Sequence, residues 1–145
     1  MTLVPKAQVA ARKFLAAVID AGIDAKIISG NRTWAEQDAL FAKRPQVTKA
    51  RGGFSNHNFG IAIDITIFKG SADPEQAKTP VFESPLYKVI GALGTDLGLE
   101  WGGNWTSIVD EPHFQLRPAW AADLSEKEML AELRQRKDLG KDFFA

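Results

Sequence analysis

Hydrophobic positions along the chain change period from segment to segment, and each change marks an element. From about Pro5 to Ala21, the residues Val9, Phe14, Leu15, Val18 and Ile19 recur at helical spacing, with Pro5 suited to a first turn and Gly22 to a stop. Ala25 to Ser29 reads as a short strand. Gly30-Asn31-Arg32-Thr33 is the turn after it, with Thr33 placed to cap a helix running to about Lys43. The polar, glycine-bearing stretch from Arg44 to Phe59 reads as an irregular loop.

The clearest strand follows. Ile61, Ile63, Ile65 and Ile67 alternate with Ala62, Asp64 and Thr66, so the isoleucines face a core and Asp64 points the other way, between two small neighbours. Residues 69–84 contain Gly70, Pro74 and Pro80, and read as a long excursion. Helix resumes from Leu86 to Leu97. Leu99-Glu100-Trp101 is a strand, Gly102-Gly103-Asn104 a turn, and Pro112 to Arg117 a second strand with His113 and Gln115 on one face and Phe114 and Leu116 on the other. A final helix from about Ser125 to Lys137, amphipathic and charged, closes the chain and is expected to present a solvated face.

Composition narrows the possibilities without adding a fold. The 145 residues, 45% of them hydrophobic, suffice for one domain over 1–145 with its own core and no disulfide staples. Eighteen basic and eighteen acidic side chains cancel, so no long-range field draws the chain to nucleic acid or an anionic membrane, and a monomer is the expected state. The amino terminus lacks the basic and apolar regions of a secretory signal, and no apolar run is long enough to span or anchor in a bilayer. Synthesis in the cytoplasm is therefore expected. Cysteine is absent, which excludes a closed thiolate metal site.

The chemistry concentrates around two histidines. His57 ends the irregular loop, Asp64 lies in the isoleucine strand, and His113 follows Asp110-Glu111-Pro112. Two imidazoles and one carboxylate form a three-ligand set of the kind that holds zinc with a fourth position open. Zinc in such a site supplies a water of lowered pKa and a Lewis acid, and a separate carboxylate must move the proton. Strand alternation favours Glu111 for that role, whereas the turn before Pro112 leaves Asp110 free to fold back over the site; the residues alone leave both open. A guanidinium suits an oxyanion, and Arg32 and Arg51 both lie in loops that can reach it. Trp101, Trp105 and Phe59 are candidates for the walls of a cleft, and Gly102-Gly103 for close approach of a substrate backbone. Each of these residues, taken singly, also has a plain structural reading as core, turn or surface charge.

Taken in order, Ser55-x-His57-x-x-Gly60-x-Ala62-x-Asp64 and then Asp110-x-x-His113 resemble the zinc signature of the M15 peptidases, the D-alanyl-D-alanine peptidase group that shares its fold with hedgehog domains. Ser29 to Gln37 and Gly98 to Trp105 resemble in particular the L-alanyl-D-glutamate endopeptidase branch known from phage endolysins. The likeness covers about residues 25–118 and implies an α+β fold with helices packed on a small antiparallel sheet. It implies that His57, Asp64 and His113 bind Zn2+, that Asp110 is general base and acid, and that Arg32 faces the oxyanion. Ser55 would support the ligand loop, and Gln37 would line the site. Asn31 stands where the family usually has tyrosine, which bears on a substrate contact more than on the chemistry.

The expected activity is hydrolysis of the L-alanyl-D-glutamate bond in peptidoglycan stem peptides. Access to the cell wall would then come through a separate membrane-permeabilising protein, or else the substrate is an internal recycled muropeptide. Its rivals are a D,D-dipeptidase or carboxypeptidase releasing D-alanine, and a non-catalytic zinc-binding module.

Overall fold

A computed structural model describes residues 2–70 and 73–145, so Ser71 and Ala72 of the predicted excursion lie outside the described residues. Among the described residues five α-helices and five strands follow in the order α1 (Pro5–Asp20), β1 (Ala25–Ser29), α2 (Trp34–Ala42), β2 (Ala62–Phe68), α3 (Pro74–Ala77), β3 (Pro80–Val81), α4 (Leu86–Asp96), β4 (Glu100–Trp101), β5 (His113–Gln115) and α5 (Glu126–Asp138). The strands form one antiparallel sheet in the order β1-β2-β5-β4, with β3 pairing the end of β2. This is the α+β arrangement expected from the resemblance. The 69–84 excursion is partly regular, because Asp73 and Pro74 start the single turn of α3 and β3 then joins the sheet.

Period-two alternation sorts β2 as anticipated from Ile63 onward. Ile63, Ile65 and Ile67 pack with Phe14 and Val18 of α1, Tyr87 and Ile90 of α4, and Phe114 of β5. Burying a side chain of this size stabilises by about 1.5–3 kcal/mol, so this layer fixes the sheet against two helices. Ile61 departs from the expected common face. It precedes β2 and joins a second core with Phe59, Ala121, Met129, Leu130 and Leu133.

That second core corrects the reading of the last helix as a purely solvated face. Met129, Leu130 and Leu133 recur at helical spacing on α5 and are buried, while Ser125 caps its start and Glu128 returns the bond to Ser125. The amphipathic pattern is borne by this narrow apolar stripe, which packs inward. The loop from Arg44 is likewise irregular only as far as Ser55, since Asn56–Phe59 form a buried 3-10 turn. Gly60 ends that turn at φ 66°. A side chain there would be strained by the left-handed backbone and crowded by the Val4 amide at 3.1 Å.

Candidate metal centre and active-site cleft

Alternation on β2 and β5 puts Asp64 and His113 on the sheet face opposite the isoleucine core, as an antiparallel pair in register. His57 reaches the same point from the 3-10 turn. The Asp64 carboxylate faces both rings, with Oδ2 3.3 Å from His57 Nε2 and Oδ1 3.3 Å from His113 Nδ1. Two ligand atoms on a tetrahedral zinc-like ion, each about 2.0–2.1 Å from it, stand roughly 3.3 Å apart, so the spacing matches a shared cation. One ligand atom from each residue falls within 4.8 Å of the others, and the group could hold a metal ion. Each ring also has an acceptor behind it: His57 Nδ1 donates to Gly30 O at 2.7 Å, and His113 Nε2 lies 2.8 Å from Gln115 Oε1. Such bonds leave the opposite nitrogen free as a metal ligand.

Electrostatics within the cluster reinforces the pairing. Burial works against ionisation of Asp64, but hydrogen bonds from His113 and His57 and their charges outweigh it and hold the carboxyl well below its usual range. Burial disfavours the charged form of His113 too, yet its bonds to Asp64 and Gln115 and the nearby carboxylates raise its pKa. Asp110 shifts the other way from Asp64. Burial raises it most, opposed by the charge of His113, and the charges of Asp64 and His57 then raise and lower it in turn. A carboxyl with a raised pKa beside a metal cluster is well suited to proton transfer.

His57, Asp64 and His113 form part of the wall of a cleft of about 480 Å³ that is also lined by Arg32, Ser55, Trp105 and Asp110. Of the two carboxylates left open by the sequence, Asp110 is the one in the cleft. Its backbone N–H donates to Gly102 O and its carbonyl accepts from His113, folding the turn back over the ligands. Glu111 is instead tied through its carbonyl to the Trp101 indole N–H at 2.8 Å. Of the two arginines, Arg32 reaches the cleft, whereas Arg51 is exposed with its guanidinium over the Phe41 ring. Arg32 is tied to the metal loop through its backbone, its N–H donating to His57 O at 2.9 Å and its carbonyl accepting from Asn58 Nδ2 at 3.0 Å.

The other candidate residues divide between the wall of the cleft and places behind it. Gln37 does not line the cleft; it is buried behind it, accepting from Arg32 at 2.8 Å and donating to Ala50 O. Trp101 is core, packed against Phe114, and its indole N–H holds the Glu111 carbonyl. Phe59 belongs to the second core, and the aromatic walls are Trp105, whose ring lies 4.9 Å from that of His113, and Phe54. Gly102 and Gly103 serve internal packing rather than substrate approach. A Cβ on Gly102 would collide with the Asp110 carbonyl, and one on Gly103 with the Trp101 ring. Ser55 does line the cleft, and its N–H is fixed by Asn58 Oδ1 at 3.2 Å.

Some residues at the site were not singled out by the sequence. Gln115 sits two residues after His113 on the same face, a relation alternation gives, but its bonds to Asn56, Glu100 and Glu126 join segments far apart in the chain.

Comparison with known proteins finds relatives that cover this region of the chain. A peptidase M15 family model, described as D-alanyl-D-alanine carboxypeptidase, matches residues 48–116, which hold all three ligands and Asp110. The peptidoglycan L-alanyl-D-glutamate endopeptidase CwlK of Bacillus subtilis (strain 168) is 40% identical over 112 residues, covering 71% of this chain and 66% of that protein. An L-alanyl-D-glutamate peptidase of Listeria phage A118 is 33% identical over 113 residues, covering 78% of this chain and 37% of the phage protein. The chain thus spans just under two thirds of one relative and little more than a third of the other. In fold it is similar to a variant of the D,D-pentapeptidase VanY from a VanB-type vancomycin-resistance cassette, crystallised in complex with Zn(II). The TM-score is 0.58 at 16% identity, over 92% of this chain and 82% of that one. The family match over residues 48–116 and the likeness to these relatives make the chain similar to the M15 peptidases across the segment that carries the cluster.

Proposed function

We propose that this chain is a zinc-dependent peptidase, one catalytic domain over residues 1–145, that cleaves the L-alanyl-D-glutamate bond of peptidoglycan stem peptides. One observation carries the proposal: Asp64 faces His57 and His113 at 3.3 Å each, on a cleft that Asp110 and Arg32 also line. The donor set of two imidazoles and a carboxylate fits zinc, and the Zn(II) complex of the VanY variant is a precedent in the same fold. Zinc held there supplies Lewis acidity and lowers the pKa of a water to about 7.

The chain's own residues do the rest. Asp110, its pKa raised by burial, takes the proton of the attacking water and returns it to the departing amine. Arg32 turns N–H donors and a permanent charge toward the oxyanion that develops on the scissile carbonyl. Ser29 Oγ, at 3.0 Å, and Gln37 hold the guanidinium, so little reorganisation is needed at the moment of reaction. Trp105 closes one side against water, and Leu40, Val47 and Leu130 offer aliphatic contact to the substrate.

The choice of bond is supported by the activity named for the Bacillus and phage relatives. A second reading, release of D-alanine, is favoured by the description attached to the family match. Digestion of purified muropeptides followed by mass spectrometry separates them. New amino-terminal glutamate is expected, and free D-alanine without it overturns the bond assignment. No helix among the described residues is long and apolar enough to cross a membrane. In a lytic setting, a separate membrane-permeabilising protein would give this domain access to the wall.

A further inference from the structure

We infer that Gln115 is a positioning residue which, held by Glu100 and by Glu126 of α5, dictates which ring nitrogen His113 turns toward the metal; the inference rests on the zinc reading above. Gln115 is fully buried, and the two ends of its amide have opposite neighbours. Its Oε1 lies 2.8 Å from His113 Nε2 and 2.7 Å from Asn56 Nδ2. Its Nε2 donates to Glu100 Oε2 at 2.8 Å and faces the Glu126 oxygens at 3.4 and 3.5 Å. Turning the amide over would set its NH2 against that of Asn56 and its carbonyl against two carboxylates. One orientation therefore survives.

With Oε1 facing the ring, the group at His113 Nε2 must be an N–H. In a neutral imidazole the lone pair then sits on Nδ1, the nitrogen 3.3 Å from Asp64 Oδ1. The carboxylates are themselves pinned by Arg117, whose Nε and NH2 donate at 2.8 Å to Glu100 and Glu126 respectively. Asn56 Nδ2 also donates to Glu126. Order thus passes from Arg117 through two carboxylates and an amide to the imidazole. His57 needs no such chain, because its Nδ1 is satisfied by the backbone carbonyl of Gly30. The family match stops at residue 116, so Arg117 and Glu126 extend the metal centre beyond it and make α5 part of its support.

Full-length protein labelled with 15N-histidine provides the test, because its two imidazoles form two resolvable sets in long-range 1H–15N spectra. The zinc-loaded wild type should show His57 as the Nδ1–H and His113 as the Nε2–H form. Gln115→Leu should weaken zinc binding, read by chelator competition, about 10- to 100-fold. In its metal-free state at alkaline pH, His113 should populate both tautomers. Glu100→Ala leaves Gln115 in place and changes a half-buried position, so it serves if the first variant does not fold. It should weaken zinc about tenfold with the same spectral change. Folded variants that hold zinc within twofold of wild type and keep His113 purely as Nε2–H overturn the inference. A wild type that takes up no zinc overturns the metal reading itself, which is a distinguishable result.

Discussion

The guanidinium of Arg32 is held from behind by the buried amide of Gln37, whose Oε1 accepts from it at 2.8 Å while the other end of the amide is anchored on Ala50 O. A permanent cation in the cleft is thus aimed by a neutral group that substrate does not reach. Replacing Arg32 by Ala should remove an oxyanion donor and lower kcat about 10²–10³-fold. Gln37→Leu should lower kcat by about tenfold, leave zinc affinity unchanged, and add little to Arg32→Ala when the two are combined. Steady-state kinetics on the four proteins checks this, and full additivity would show that Gln37 acts by another route.

Asp110 lines the cleft with a raised pKa but is not one of the three clustered ligands. Asp110→Asn should therefore keep one zinc per chain and lose about 10²–10⁴-fold in kcat. Elemental analysis beside turnover assays distinguishes this from loss of the metal. Retention of wild-type kcat would remove Asp110 from the reaction.

Metal-free protein should show a stability maximum on the acidic side of neutrality. Asp64 titrates lower folded than unfolded, so its contribution is present above about pH 4 and is lost as pH falls. His113 titrates higher folded than unfolded, so its contribution is complete below about pH 6.5 and is lost as pH rises through the folded value. Zinc requires neutral imidazoles, so the gain in Tm on adding it should grow from about pH 5.5 to 8. Thermal melts with chelator and with zinc test both limbs. His113→Asn should lose the alkaline decline of the metal-free form, and an unchanged profile in that variant would assign the decline elsewhere.

Gly102 packs against the turn that carries Asp110, where a Cβ would also stand 3.1 Å from His113 Cβ. Gly102→Ala should displace that turn, costing about 1–3 kcal/mol of stability and at least tenfold in kcat/KM. Chemical denaturation and kinetics read the two effects, and a variant with wild-type activity would show that the turn tolerates displacement.

Much of this was legible in the chain because periodicity is local. The alternation of β2 placed Asp64 opposite the isoleucines, and the spacing around His113 placed Gln115 beside it. What escaped depends on contacts between distant segments. Neither Asp110 nor Glu111 could be preferred from spacing, since the bond from the Trp101 indole to Glu111 O and that from the Asp110 amide to Gly102 O decide which of them faces the cleft. The glycines after Trp101 resembled a substrate ledge until the backbone and ring they pack against were seen. The amphipathic pattern of α5 is local, but the core it packs into and the place of Glu126 behind His113 depend on distant segments.

The account stands on one cation shared by His57, Asp64 and His113. Anomalous-difference density collected at the zinc edge, from crystals of protein stripped with chelator and reloaded with one equivalent of zinc, addresses that directly. A single peak about 2.0–2.1 Å from His57 Nε2, His113 Nδ1 and an Asp64 oxygen is predicted. No peak there, or a peak at another place on the chain, would contradict it.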